Sequence, residues 1–281
     1  MSGAAAIGIQ RFLVIYLLLL LVLALMKRSR ISQTKLLLTA SIRMTVQLVL
    51  AGFVLTYIFE NPHPLLTVGY LAAMMAFAIH RVLSKNRDLN RGFKLSIGFS
   101  LAFSGFAVLI YYVAAVVNQS LFNPQYAIPL SGMIFGNAMT GVNLGVKTFR
   151  ESTAAGKERM EALLNFGASP KSILLPFVNQ ALETAILPTL NSMIGMGIVS
   201  LPGMMTGQIL SGTLPTTAIL YQISIMVANC SAVCLSVFGS LHFGYHTLYN
   251  KRSQFCRRGG ILNGAGCDEK KPESGTGEGK K

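Results

Sequence analysis

The chain has 281 residues, 52% of them hydrophobic and only 12% charged, with a mean hydropathy of +0.54. A soluble domain carries about 25% charged residues, so this balance excludes an ordinary soluble fold and points to a membrane protein. The formal net charge of +14 would suit a nucleic-acid binder, but the positions of the charges exclude that reading.

Phe12–Met26 is an unbroken apolar run, extended backwards by residues 4–9 around a lone Arg11. The basic cluster Lys27, Arg28 and Arg30 follows the run instead of preceding it, and no A-x-A-like site closes it. The run therefore reads as a first transmembrane helix and not a cleaved signal peptide. Leu36–Phe59 is the second helix, and residues 60–64, with Pro62 and Pro64, form a tight turn. Leu65–Leu83 is the third helix, Ser84–Leu95 a charged loop, Ser96–Val117 the fourth helix and Asn118–Tyr126 an uncharged polar loop. Ile128–Val146, rich in small residues, is the fifth; Lys147–Lys171 is the longest polar loop. Ser172–Ile198 is the sixth helix, Leu201–Pro215 a connection broken by glycine and proline, and Thr217–Leu241 the seventh. Residues 1–250 thus form one transmembrane domain. Residues 251–281 form a basic tail that cannot bury a core and is expected to be disordered. Of the four cysteines, Cys230 and Cys234 lie in an apolar run and Cys256 and Cys267 in the tail, a spacing that suggests neither zinc nor a disulfide framework.

The charges test this count. If the N-terminus is outside, every Lys and Arg except Arg11 and Arg43 falls in the segments 27–35, 81–95, 147–171 or the tail. The segments 60–64, 118–126 and 201–215 hold none. This is the positive-inside pattern. The expected fold is all-α: seven transmembrane helices, N-terminus outside and C-terminus cytosolic, in the plasma membrane or an organelle membrane. Its partner is then the lipid bilayer, with attraction to anionic lipid, and not nucleic acid.

Two charges sit inside predicted spans. Arg43 lies about two turns into the second helix, with Gln47 one turn further on the same face. Glu183 lies about three turns into the sixth. Both helices are entered from the cytosolic side, which suggests similar depth. A charge in hydrocarbon costs several kcal/mol, so each should face a partner or a wet cavity. One reading is a polar patch lining a substrate path; the other is an Arg43–Glu183 pair locking two helices, or an Arg43 that snorkels to the inner surface. In the connection Gly195–Pro215, seven glycines and prolines forbid a continuous helix. Broken backbone at membrane depth is tolerated only when buried in protein or lining a cavity. Pro202, Gly203, Met204, Met205 and Gln208 are therefore candidates for a gate, against the plainer reading of an outer hairpin. Met193, Met196, Met204 and Met205 bring soft thioethers that suit either a soft metal or adaptable packing. His242 and His246 share a helix face without a third ligand in view, so no metal site is assigned. In the fifth helix Gly132/Gly136 and Gly141/Gly145 are small-x3-small pairs that allow close helix approach, with Asn137, Thr140 and Asn143 among them. No G-x4-GK[ST] loop, H-E-x-x-H, G-x-S-x-G or CxxC occurs, so the sequence offers no catalytic constellation and no means of binding ATP itself.

The segment from Glu161-Ala162 to Gly167-Ala168-Ser169, with Leu175-Pro176 and Leu187-Pro188 downstream, resembles the coupling loop of ABC-transporter membrane subunits. The runs Arg43 to Leu48, Gly136 to Val142 and Ser200 to Gln208 are similar to the FetB-like permease family, which includes bacterial iron-export permeases and plant aluminium-tolerance proteins. The resemblance covers roughly residues 10–250 and leaves out the tail. It implies a permease that forms a homodimer and binds no cofactor itself, while a separate ATPase subunit uses ATP. It implies iron or, for some plant members, a UDP-sugar as substrate. A secondary transporter or channel with Arg43 and Glu183 as pathway charges is one alternative. A seven-helix receptor is another, disfavoured by its short outer segments.

Overall fold

The computed structural model describes residues 8–29 and 33–247; the tail and its cysteines lie outside the described residues. Nine α-helices form among these residues, and no β-strand. They are α1 (Ile9–Arg28), α2 (Thr34–Glu60), α3 (Pro64–Lys85), α4 (Arg91–Tyr111), α5 (Pro124–Ala155), α6 (Lys157–Asn165), α7 (Pro170–Gly195), α8 (Gly203–Leu210) and α9 (Pro215–His246). α4 runs on into a π-helical turn, Tyr112–Val116, which closes with the Val117 N–H donating to the Tyr112 carbonyl at 3.0 Å. Among the described residues five helices are long and apolar enough to cross a membrane: α2, α3, α4 with its π turn, α7 and α9.

The helix starts have a common cause. Pro64, Pro124, Pro170 and Pro215 each open a helix, where a missing N–H costs nothing and φ is already helical. His63, Asn123 and Ser169 cap three of those ends by accepting from the N–H of Leu65, Gln125 and Ser172.

α5 is the central post. It packs against α3, α4, α7 and α9, and α4 lies along α9 over most of its length. Small residues set how closely these helices approach. A methyl group added at Gly141 would stand 2.7 Å from Val233 Cγ1, and one at Gly145 3.0 Å from Val237 Cγ1 and 3.2 Å from Ala185 Cβ. On α4 and α9, Ser104 and Ser236 share a hydrogen bond, and Gly239 and Gly244 admit Ser100 and the Phe93 ring. In a membrane, where lipid is as apolar as leucine, such close packing and polar seams hold helices together. α2 differs: of its 27 residues only Ile58 is buried. It lies beside α1 and leans on α5.

The structure redraws the long polar segment. α5 does not end at Val146 but continues to Ala155, still burying Phe149 and Thr153. The charged residues there mark the end of the apolar surface and not of the helix. α6 follows at once, and α7 begins at Pro170, so the expected loop 147–171 is mostly helical. The connection after α7 likewise holds a helix, α8, framed by Gly197 (φ 83°) and Gly212 (φ 97°), left-handed positions that glycine adopts without strain.

Candidate functional site

α6 is amphipathic across its short length. Met160 is 2% exposed and Leu164, four residues on, also packs against the core, so one face of α6 lies on the bundle, and Ala168 in the turn beyond the helix packs there too. The opposite face carries Glu161, Ala162, Leu163 and Phe166, with Phe166 89% exposed. Lys157 and Glu161 stand 4.0 Å apart, both exposed, a pair that adds little stability. Gly156 lets α5 and α6 meet: a methyl group there would stand 2.7 Å from the Phe177 ring of α7.

The turn from α6 into α7 gives Gly167, Ala168 and Ser169 distinct roles. The Ala168 N–H donates to the Leu163 carbonyl at 3.0 Å and the Gly167 N–H to the Leu164 carbonyl at 2.9 Å. With Gly167 at φ 84°, this is a Schellman end, which satisfies the last carbonyls of α6. Ser169 then caps α7, its hydroxyl 3.3 Å from the Ser172 N–H. Three residues therefore end one helix and start the next. This leaves Phe166 at the apex of a rigid corner, and the sequence reading did not single it out.

A second feature that was missed lies at the same end of the bundle. Arg150 donates to Asn86 Oδ1 at 3.3 Å and to Asp88 Oδ2 at 3.0 Å. Asn86 in turn donates to the Val82 carbonyl and to Asn143 Oδ1. The cluster ties the end of α3 to α5 beside α6.

The predicted pathway residues do not meet within one chain. Arg43 and Gln47 are exposed on α2, and the Arg43 guanidinium lies over the Phe77 ring at 5.9 Å from its centroid. Glu183 is exposed on the side of α7 away from Ala181 and Ala185, the residues that touch Gly145. No Arg43–Glu183 ion pair forms, and Glu183 has no ion-pair partner among the described residues. The helices explain why: α7 packs on α5 and α9, whereas α2 packs on α1 and α5. The depths differ as well. Glu183 is level with Gly145, and so with Asn143 and its partner Asn86 at the end of α3. Phe77 lies nine residues before Asn86, about 13 Å further along the bundle.

The candidate gate residues fall on α8. Pro202 precedes it, Gly203 begins it, Met205 is buried against the bundle, Met204 is half-buried, and Gln208 holds its Oε1 in the interior without a protein partner. The adjoining turn at Gly197 exposes Ile198 and Val199 almost fully. His242 lies between Phe238 and His246, ring centroids 5.0 and 5.4 Å away, as an aromatic row. Among the described residues no three His, Cys, Asp or Glu side chains group to hold a metal.

The model of the Uncharacterised protein family (UPF0014) matches residues 9–249. The chain belongs to this family. Its relatives include the UPF0014 membrane protein YjkA of Bacillus subtilis, 29% identical over 84% of this chain and 93% of YjkA. The probable iron export permease protein FetB of Escherichia coli is 29% identical over 75% of this chain and 81% of FetB. Protein ALUMINUM SENSITIVE 3 of Arabidopsis thaliana is 31% identical over 75% of this chain and 77% of that protein. The family and the five apolar helices make the chain an integral multi-pass membrane protein. No solved structure matches.

Proposed function

We propose that this chain is the membrane subunit of an ABC transporter, working with a separate ATPase subunit to export a metal ion, iron first among the candidates. The observation that carries the reading is the corner at α6. Met160 and Leu164 fix the helix to the bundle, and Phe166 and Leu163 face outward for a partner. The turn Gly167–Ser169 joins that platform stiffly to α7. A relative whose name is probable iron export permease supports the substrate.

In this reading the chain crosses the membrane seven times, N-terminus outside and C-terminus cytosolic. α1, with 20 residues, spans about 30 Å. α5 is the seventh span. Its Asn137, Thr140 and four glycines lower its hydropathy, but a helix enclosed by α3, α4, α7 and α9 has little need to face lipid. A homodimer accounts for α2, which buries a single residue in one chain, and covers Arg43, Gln47 and Glu183, which lipid would not tolerate.

The test is reconstitution with the candidate ATPase, measuring ATP hydrolysis and transport against iron, other metals and UDP-sugars. ATP-dependent iron efflux is the expected result. Transport that follows an ion gradient in ATP-free vesicles would sink the proposal.

A further inference from the structure

α5 has α3, α4, α7 and α9 around it, yet one strip of it stays open. Pro129, Asn137, Thr140 and Lys147 are exposed, and Met133 and Gly136 are half-buried among them. Steps of three and four residues keep all of them on one face of the helix. A methyl group added at Gly136 would meet nothing within 4 Å, so the strip is open at its middle. From Pro129 to Lys147 it is about 27 Å long. Gly141, next to Thr140, meets Val233 in the middle third of α9. In the seven-span arrangement proposed above, the strip therefore runs through most of the bilayer core.

Its polar groups turn their hydrogens back to the helix and their oxygens outward. Asn137 Nδ2 donates to the Met133 carbonyl at 2.9 Å, and the Thr140 hydroxyl donates to the Gly136 carbonyl at 2.9 Å. Asn137 Oδ1, on the other side of the amide, accepts from no described residue. Pro129 lies inside the helix and has no N–H, so the Gln125 carbonyl loses its helical donor. Bare oxygen acceptors are costly in hydrocarbon, so this strip does not face lipid tails.

We propose that the strip lines a water-filled path, and that the oxygens of Asn137 and Thr140 hold the water shell of a divalent metal cation in transit. Oxygen acceptors without fixed charge suit a cation that keeps part of its water. The phosphates of a nucleotide sugar would need donors or positive charge instead. At the inner end Lys147 stands 3.8 Å from Glu151, so the charge at that mouth is paired. The choice of cargo rests on the transport reading; the presence of water does not.

The experiment uses the full chain in nanodiscs of neutral lipid, without an ATPase. Cys230, Cys234, Cys256 and Cys267 are replaced by alanine, and one cysteine is introduced as Asn137→Cys, Thr140→Cys or, at an exposed apolar position of α4, Phe103→Cys. The reaction with a charged, water-soluble methanethiosulfonate is timed. Asn137→Cys and Thr140→Cys should react at least about tenfold faster than Phe103→Cys, and manganese(II) should slow them whereas UDP-glucose should not. Rates equal to that of Phe103→Cys would overturn the path, whether lipid or a second copy sealed against Gly136 covers the strip. No slowing by manganese(II) would overturn the cation. If the alanine background fails to fold, Asn137→Asp in the native chain gives an independent reading. A carboxylate in water leaves the melting temperature in place, and a fall would overturn the proposal. Fast labelling without ATP-dependent efflux would remove the transport reading and keep the path; slow labelling with such efflux would remove the path alone.

Discussion

The sharpest test of the α6 corner is Phe166→Ala. The side chain is 89% exposed, so its loss removes almost no packing from the isolated chain and the melting temperature should hold. If an ATPase groove covers the ring, the contact is large. A phenylalanine buries about 150 Å² or more, which at about 25 cal/mol per Å² corresponds to about 4 kcal/mol of gross burial for full coverage. Anchors of this kind lose about 2 kcal/mol or more on truncation, a weakening of about 30-fold. The assay is the equilibrium affinity of the nanodisc-embedded chain for its ATPase, paired with a melting curve. Met160→Ala is the contrast. That side chain is 2% exposed beneath α6, so truncating it should cost about 2–5 kcal/mol of stability. If Phe166→Ala leaves partner affinity within about twofold, α6 does not dock through its apex and the corner is only a turn.

Other consequences follow from individual contacts. Gly167→Ala should cost about 1 kcal/mol through its left-handed backbone alone, since nothing lies within 4 Å of the added methyl; Gly167→Asn should recover much of that in a chemical-denaturation series. Gly141→Ala, 2.7 Å from Val233 Cγ1, should lower the melting temperature by overpacking, about 1–3 kcal/mol, whereas Gly136→Ala, with open space around it, should be neutral or stabilising. Arg150→Ala should destabilise the chain by about 1–2 kcal/mol by breaking its bonds to Asn86 and Asp88, and Arg150→Lys should restore less than half, because an ammonium cannot reach both as a planar fork does.

Much of the fold was legible in the apolar runs, and its errors have physical causes. The reading began four helices one to four residues late, at Leu65, Ile128, Ser172 and Thr217, where Pro64, Pro124, Pro170 and Pro215 stand at the first helical turn. Proline punctuates a sequence, but its position just inside a helix start is a signal of its own. The charges after Val146 suggest a helix end there, but the burial of Phe149 and Thr153 continues the same periodicity for two more turns. The functions of Gly167 and Ser169 were readable from local chemistry, since a Schellman glycine and a serine cap are sequence patterns. The Arg150 cluster was not, because its partners lie 64 and 62 residues away. The Arg43–Glu183 pair was inferred from depth alone, and depth does not say which helices are neighbours.

α7 joins these features, and its prolines indicate where it can bend. Its buried residues, Ile173, Leu174, Val178, Ala181 and Ala185, all precede Pro188; none follows it within the helix. The half that begins at the α6 corner is thus fixed to α5 and α9, while the half that leads to Gly197 and α8 is largely free of the core. Pro188 removes the hydrogen bond that the Thr184 carbonyl would otherwise accept, just where that change of packing occurs. Pro176 also interrupts the first half, but there the packing on α5 and α9 holds the helix, so a displacement of α6 would travel as far as Ala185 and become a swing of the outer half. Pro188→Ala should restore the missing bond and stiffen the helix, raising the melting temperature, since proline inside a helix costs about 3 kcal/mol relative to alanine. Binding of the ATPase should be unchanged, because the corner at Phe166 is about 33 Å of helix away. Transport per ATP hydrolysed should fall. If transport stays fully coupled in the stiffened variant, the outer half of α7 is not the moving element, and the link between the corner and α8 must run through α5 or α9.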